Sequence, residues 1–320
     1  MTVLVAGGAG FIAANLIGSL LDQGQRVIAV DDLSRGAWAH LGVLRSHPGL
    51  RLLQSDLSRA DCVPQLRAAL ATGETVDEVW HLAANSDIPA GVSDASIDLK
   101  NTFLTTFQLL EFMRVVGARR LVFASSSAIY GDFGEREITE DIGPLMPISN
   151  YGAMKLASEA QISAAAESFL DRAVIYRFPN VVGVPATHGV ILDLVRKLKA
   201  RPDELPVLGD GSQQKAYLHV TDLVDAMLQA RQALPDKRLI LNLGPVDAGV
   251  SVKWIAEQVA ARVAPGATIR YGTGNRGWTG DVPRFRYSVA RLTATGWAPR
   301  LDSRGAILRA VDEIARQEGC

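Results

Sequence analysis

Thr2-Val3-Leu4-Val5-Ala6-Gly7-Gly8-Ala9-Gly10-Phe11-Ile12-Ala13 is the stretch that decides the fold of this chain. Residues 2–6 are apolar and partly β-branched, without polar alternation, which predicts a parallel strand buried on both faces. The run stops at two glycines, and residues 11–21 then place apolar side chains at helical spacing until Gly24. A Gly-x-x-Gly-x-x-Ala motif carries little information alone; between a strand and a helix it points to a dinucleotide. Gly7 allows the tight turn. Gly10 lets the backbone approach a pyrophosphate at the helix N-terminus, where free N–H groups and the helix dipole favour an anion. Ala13 stands where a third glycine is common, and the close helix–strand contact tolerates it.

Outward from this unit the pattern repeats. Residues 26–30, 50–54, 76–82, 120–125 and 173–178 read as further strands. Residues 97–116 read as one long amphipathic helix closed by Gly117, and 151–170 as an alanine-rich helix. Alternating strands and helices predict right-handed crossovers and a doubly wound parallel α/β sheet of the Rossmann type. After Pro179 the segments shorten and Gly and Pro recur, which predicts a smaller α/β substrate-binding domain. The expected division is 1–178 for the cofactor domain, with a return near 216–247, and 179–215 plus 248–320 for the second domain. Within these, 221–233, 251–263 and 303–315 read as helices, and 239–243 and 268–271 as strands.

The composition suits a globular enzyme. The 320 residues are 48% hydrophobic and 21% charged, with a formal net charge of −1. That balance excludes a nucleic-acid footprint or a polybasic membrane patch. Cys62 and Cys320, the two cysteines, make neither a disulfide framework nor a metal site, and fit a reducing cytoplasm. The N-terminus lacks the features of a signal peptide, and no apolar run is long enough to span a bilayer. No cluster has metal-ligand spacing, so no metal is expected. His81 and His219 read as packed strand-end residues, and His188 lies in a loop that could reach a ligand.

Asp31 ends the second strand, roughly 20 residues beyond the glycines, where a carboxylate bonds the ribose hydroxyls. Asp31 and Asp32 together repel a 2′-phosphate, which favours NAD over NADP, while Arg35 reads as a solvated loop arginine. Asp56 follows the third strand and reads equally as an adenine partner or as a turn cap. Ser125-Ser126-Ser127 closes the fifth strand. Tyr151 and Lys155 stand at i and i+4 on the following helix and share a face. A free tyrosine titrates near pH 10, so a neighbouring ammonium and a cationic cofactor ring are needed to favour its phenolate. Ser126 would hold a substrate hydroxyl in line.

With GGAGFIAANL, DDLSRG, HLAAN, ASSSAIYG, ISNYGAMKLASE, RFPNVVG, HGVILDLVRKLK, LGDGSQQKAYLHVTDLVDAM, GWTGDVP and GWAPR, the chain resembles the extended short-chain dehydrogenase/reductase family over essentially its whole length. Within that family it is most similar to the UDP-glucose 4-epimerase branch. The resemblance implies Ser126, Tyr151 as base and Lys155 as its partner and ribose ligand. It also implies Gly7, Gly10, Phe11, Ile12, Asp31, Asp32, Ser34, Asp56, Leu57, Leu82, Ala83, Ala84, Asn101 and Phe178 around NAD. Ser127, Asn180, Val190, Lys215, Arg276, Asp281 and Phe285 are implied around the nucleotide sugar, and a homodimer is implied as well.

Departures bear on substrate identity. Lys215 offers a point charge where the family usually has an arginine fork. Trp278 replaces a phosphate-binding arginine, with Arg276 two residues earlier. Asn150 and Met154 replace a proline and a serine, and Val182 a common tyrosine. Phe285 is bulky where the branch places a gate beside the hexose, which favours sugars without an N-acetyl group; as a strand residue between Arg284 and Arg286 it reads equally as core. Epimerisation at C4 through a 4-keto sugar is therefore expected. 2-Epimerisation and 4,6-dehydration stay open, although Ser127 and Ala128 stand where dehydratases carry an acidic pair. A non-catalytic NAD-binding regulator is the remaining alternative, opposed by the intact Tyr-x-x-x-Lys.

Overall fold

The structure is a computed structural model, and it describes residues 1–134, 136–274 and 288–320. By contacts the chain divides into two compact units. The first comprises Met1–Ile129, Pro147–Arg177 and Arg231–Ile240; the second comprises Tyr130–Met146, Phe178–Ala230 and Leu241–Cys320.

The first unit is built on a seven-stranded sheet in the order β11-β6-β5-β4-β1-β2-β3. Its strands are β1 (Thr2–Ala6), β2 (Arg26–Asp31), β3 (Leu50–Gln54), β4 (Glu78–His81), β5 (Arg120–Ser126), β6 (Arg172–Phe178) and β11 (Arg238–Asn242). β1 is central and buried along its whole length, and it pairs in parallel with β2 on one side and β4 on the other. The strand order reverses there, at the C-terminal ends of β1 and β4, which is where open α/β sheets take their ligands. The helices are α1 (Phe11–Asp22), α2 (Cys62–Ala68), α3 (Ile88–Ser93), α4 (Ala95–Asp98), α5 (Thr105–Val116) and α6 (Asn150–Ser168). The core runs through Leu4, Ile28, Val79, Phe112, Phe123, Ile162 and Ile175. Residues 97–116 are not one regular helix: after α4 the chain passes through a π turn, Leu99–Leu104, before α5, which ends at Gly117 in the left-handed region (φ 75°).

The second unit contains β7 (Asn180–Val182), α7 (Val190–Ala200), β8 (Glu204–Val207), β9 (Gln214–Lys215), β10 (Tyr217–His219), β12 (Val250–Ser251), α9 (Val252–Val263), β13 (Thr268–Tyr271), α10 (Ala290–Thr293) and α11 (Ser303–Gln317). The strands form three two-stranded sheets, β10-β7, β12-β9 and β13-β8. Helices α7, α9 and α11 bury Leu194, Val195, Ile255, Val259, Ile307 and Val311 against one another. α8 (Val220–Ala233) passes from the second unit into the first. No helix among the described residues is long and apolar enough to cross a membrane.

Candidate active site

The glycine turn lies between β1 and α1. Gly7 has φ +77°, a conformation L side chains avoid, and a Cβ there would stand 2.7 Å from the Ala83 backbone nitrogen. The Gly7 and Gly8 N–H groups both donate to Val30 O (2.8 and 2.9 Å), which holds the turn across to β2. Gly10 caps α1 without a side-chain hydrogen bond, and the first turn of α1 contains no acidic residue. An open, positively polarised helix terminus is thus set beside the ends of β1 and β4. These residues fit the pyrophosphate of a dinucleotide.

Asp31 is buried at the end of β2, and both of its oxygens receive backbone N–H groups: Ala9 N–H donates to Oδ2 (3.0 Å) and Leu33 N–H to Oδ1 (2.8 Å). It braces the glycine loop from behind. Burial raises its pKa and the two N–H bonds oppose that rise. A carboxylate has about four acceptor positions, so capacity for ribose hydroxyls remains. Asp32 is exposed and accepts from Ser34 N–H (2.9 Å) and Ser34 Oγ–H (2.7 Å). Asp56 caps its own turn by accepting from Ser58 N–H (2.9 Å) and Oγ–H (2.7 Å). Asp32 and Asp56 line one pocket with Gln54, Ser55, Arg59, Asp61 and Gln65, beyond the ends of β2 and β3. Leu57 is core, and Phe11, Ile12, Leu82, Ala83 and Ala84 are partly exposed around the glycine turn. Arg35, read as solvated, makes an ion pair with Asp87 after β4 (3.0 Å).

The candidate catalytic residues Ser126, Tyr151 and Lys155 lie on β5 and α6. Ser149 caps α6 by accepting from Gly152 N–H (3.1 Å), so Tyr151 falls in the first turn. Ser126, at the end of β5, is the side chain that favours ionisation of the Tyr151 hydroxyl. The Tyr151 ring is partly exposed, but its hydroxyl is crowded by protein. That desolvation pushes its pKa up to about 12, the Ser126 side chain opposes the rise, and the Asp98 charge adds to it. Lys155, 2% exposed, lies one turn on; its Nζ donates to Ala124 O (2.6 Å) and stands 5.9 Å from the Tyr151 ring centroid. Burial pushes the Lys155 ammonium down to about 7, against the Glu159 carboxylate, which holds it up. His81 is buried and bonded to Thr106 Oγ1 (2.9 Å); burial, and then Lys155, keep it neutral. Asn101 lies in the π turn, and Ser127 begins the turn that follows β5.

Phe178, at the end of β6, is buried in the second unit. Asn180 is exposed on β7, Val190 opens α7 and Lys215 lies on β9. Arg276, Trp278, Asp281, Arg284, Phe285 and Arg286 lie outside the described residues. Among the described residues no group of three or more His, Cys, Asp or Glu could hold a metal.

Several residues around the trio escaped the sequence reading. Glu159 is one turn beyond Lys155, so helical spacing alone could have found it. Arg177, bonded to it from β6, is separated from it by 18 positions and carries no local signal. Asn85 and Asp98, joined at 2.8 Å, are visible only in three dimensions.

A sequence model of the NAD dependent epimerase/dehydratase family matches residues 3–244. A UDP-glucose 4-epimerase of Halalkalibacterium halodurans is 30% identical, over 95% of this chain and 92% of its own. A crystal structure of a UDP-galactose 4-epimerase superposes with a TM-score of 0.84 at 33% identity, covering 99% of each chain. The Thermus thermophilus UDP-glucose 4-epimerase in complex with NAD gives 0.83 at 30% identity, over 98% of this chain and 99% of that one.

Proposed function

The chain belongs to the NAD dependent epimerase/dehydratase family, and from that premise we propose that it inverts carbon 4 of a UDP-hexose of the glucose/galactose type through a transient 4-keto sugar. The observation that carries the reading is the grouping of Ser126, at the end of β5, with Tyr151 and the buried Lys155 on α6, Lys155 Nζ standing 5.9 Å from the Tyr151 ring centroid. The absence of acidic side chains at positions 127 and 128 favours epimerisation over dehydration.

Gly7, Gly10 and the open N-terminus of α1 would hold the pyrophosphate, Asp31 and Asp32 the adenosine ribose, and Lys155 the second ribose. Ser34, the Asp56 pocket and Asn101 complete that set. When bound, NAD supplies an acceptor and donor of hydride for C4. Tyr151 takes the proton from the C4 hydroxyl as that carbon is oxidised and returns it as the carbonyl is reduced. Ser126 shares the hydrogen bond and keeps the C4 oxygen in line with the phenol. Lys155, poised near neutrality, changes its charge at little cost as the cofactor binds. Asn180, Val190, Lys215, Arg276, Asp281 and Phe285 would grip the sugar nucleotide, with a bulky Phe285 disfavouring N-acetylated sugars. A homodimer in a reducing cytoplasm goes with this reading.

The test uses UDP-glucose carrying deuterium at C4. UDP-galactose with the label retained at C4 is the expected product, with lower turnover on UDP-N-acetylglucosamine. Loss of the label to solvent, or solvent deuterium entering at C2 or C5, would show another reaction on the same scaffold.

A further inference from the structure

Asp98 closes α4 immediately before the π turn and is fully buried, at 0% exposure. Its Oδ1 accepts from Asn85 Nδ2 (2.8 Å), while Oδ2 has no hydrogen-bond partner among the described residues. Asn85 is the hinge of the segment between β4 and α3. Its N–H donates to Thr102 Oγ1 (3.1 Å), its Nδ2 also donates to Asp87 O (2.9 Å), and its Oδ1 accepts from Asp87 N–H (2.9 Å). The carboxylate therefore anchors, through one amide, the chain that leaves the ligand end of β4.

The unpartnered oxygen faces Gly91 in α3, where a Cβ would overlap the carboxylate. The Gly91 carbonyl accepts from Asn150 Nδ2 (2.8 Å), and Asn150 adjoins Tyr151. A continuous stack of Asp98, Gly91 and Asn150 thus leads to the first residue of α6, next to Tyr151, and α3 and α4 both pack on α6.

Buried carboxylates are ordinarily paired with a cation. Asp98 has no ion pair among the described residues; burial pushes its carboxyl up, the Asn85 hydrogen bond opposes that rise and the Asp87 charge adds to it. Among the charged and titratable groups on the elements beside Tyr151 are Lys155 and Glu159 on α6, His81 on β4, Asp98 on α4, and Asp87 at the head of α3. Lys155 is bonded to Ala124 O, Glu159 is occupied by Arg177, His81 is neutral, and Asp87 is paired with Arg35. Burial disfavours ionisation of the phenol, the Ser126 side chain favours it, and the Asp98 charge adds to the effect of burial.

We propose that Asp98 is a positioning residue for the acid–base step: a buried carboxylate without a cation among the described residues that fixes the 85–91 segment through Asn85 and, packed on Gly91, supports the contact of that segment with Asn150 at the start of the helix that carries Tyr151. Its charge also sets the pH at which the enzyme turns on. The proposal rests on the reading of Tyr151 as the acid–base group.

The test is the pH dependence of kcat and kcat/KM of the holoenzyme, for wild type, Asp98→Asn and Asp98→Ser, with Tyr151→Phe as reference. Asparagine keeps an acceptor for Asn85 and removes the charge. Without the neighbouring negative charge the phenol gives up its proton at lower pH. The acid limb should then move down by about half a pH unit or more, which is about threefold in relative rate on that limb. Profiles that superimpose on wild type, or a loss of rate with an unmoved limb, would overturn the proposal. So would failure of both variants to fold, which would assign Asp98 to the fold alone. Wild-type turnover by Tyr151→Phe would bring down the reading of Tyr151 instead, a separate outcome.

Discussion

Replacing Glu159 by Gln tests whether the charge network behind Ser126, Tyr151 and Lys155 holds the first unit together. Glu159 and Arg177 are 6% and 4% exposed and bonded twice, Nη2 to Oε2 at 2.8 Å and Nε to Oε1 at 3.1 Å. Ser125 Oγ–H donates to the same Oε1 (2.5 Å). Glutamine keeps one acceptor and turns an NH2 group toward a guanidinium that can only donate. The guanidinium is left charged and buried, and breaking a buried pair from one side costs about 3–5 kcal/mol. Each kcal/mol moves Tm by roughly 2–4 °C in a domain of this size, so a loss of about 10 °C is expected. The assay is a thermal melt followed by circular dichroism at matched NAD concentration, because bound ligand adds its own stability. Replacing all three partners, with Glu159→Leu, Arg177→Leu and Ser125→Ala, should recover more than half of the loss, since no charge is then stranded. A Tm within about 2 °C of wild type for Glu159→Gln would refute the reasoning. A triple variant no better than the single would show that the stranded guanidinium is not the cause.

Tyr151→Phe should lower turnover by about 10²–10⁴-fold with little change in KM, because a positioned acid–base group contributes that much; steady-state kinetics on the preferred UDP-sugar decide, and wild-type turnover is the contrary result. Lys155 loses its proton near pH 7 in the fold and near 10.5 in the unfolded chain, so the unfolded chain binds more protons between those values. The cofactor-free protein should therefore gain stability as pH rises from about 7 to 10, and Lys155→Met should flatten that rise in denaturant titrations. An unchanged slope in the variant would assign the rise to another group.

Local sequence determined the elements and the placing of Tyr151 and Lys155 on one helix. A buried β-branched run, a glycine turn and an amphipathic helix specify β1 and α1 through neighbouring residues alone, and Leu50–Gln54 is a strand with the bounds its sequence predicts. Tyr151 and Lys155 share a face because helical spacing requires it. Tertiary structure decided where charge goes. Residues 97–116 have the apolar spacing of one helix, yet the chain widens into a π turn directly after Asp98, whose carboxylate is drawn inward to Asn85. Asp31 has the position of a ribose ligand, and the fold also presses it into service behind Ala9 and Leu33. Glu159 finds Arg177 on another element, and Asp98 finds no cation at all among the described residues. Burial makes these charges matter, and burial depends on which distant segments pack together, for which a sequence has no period to read.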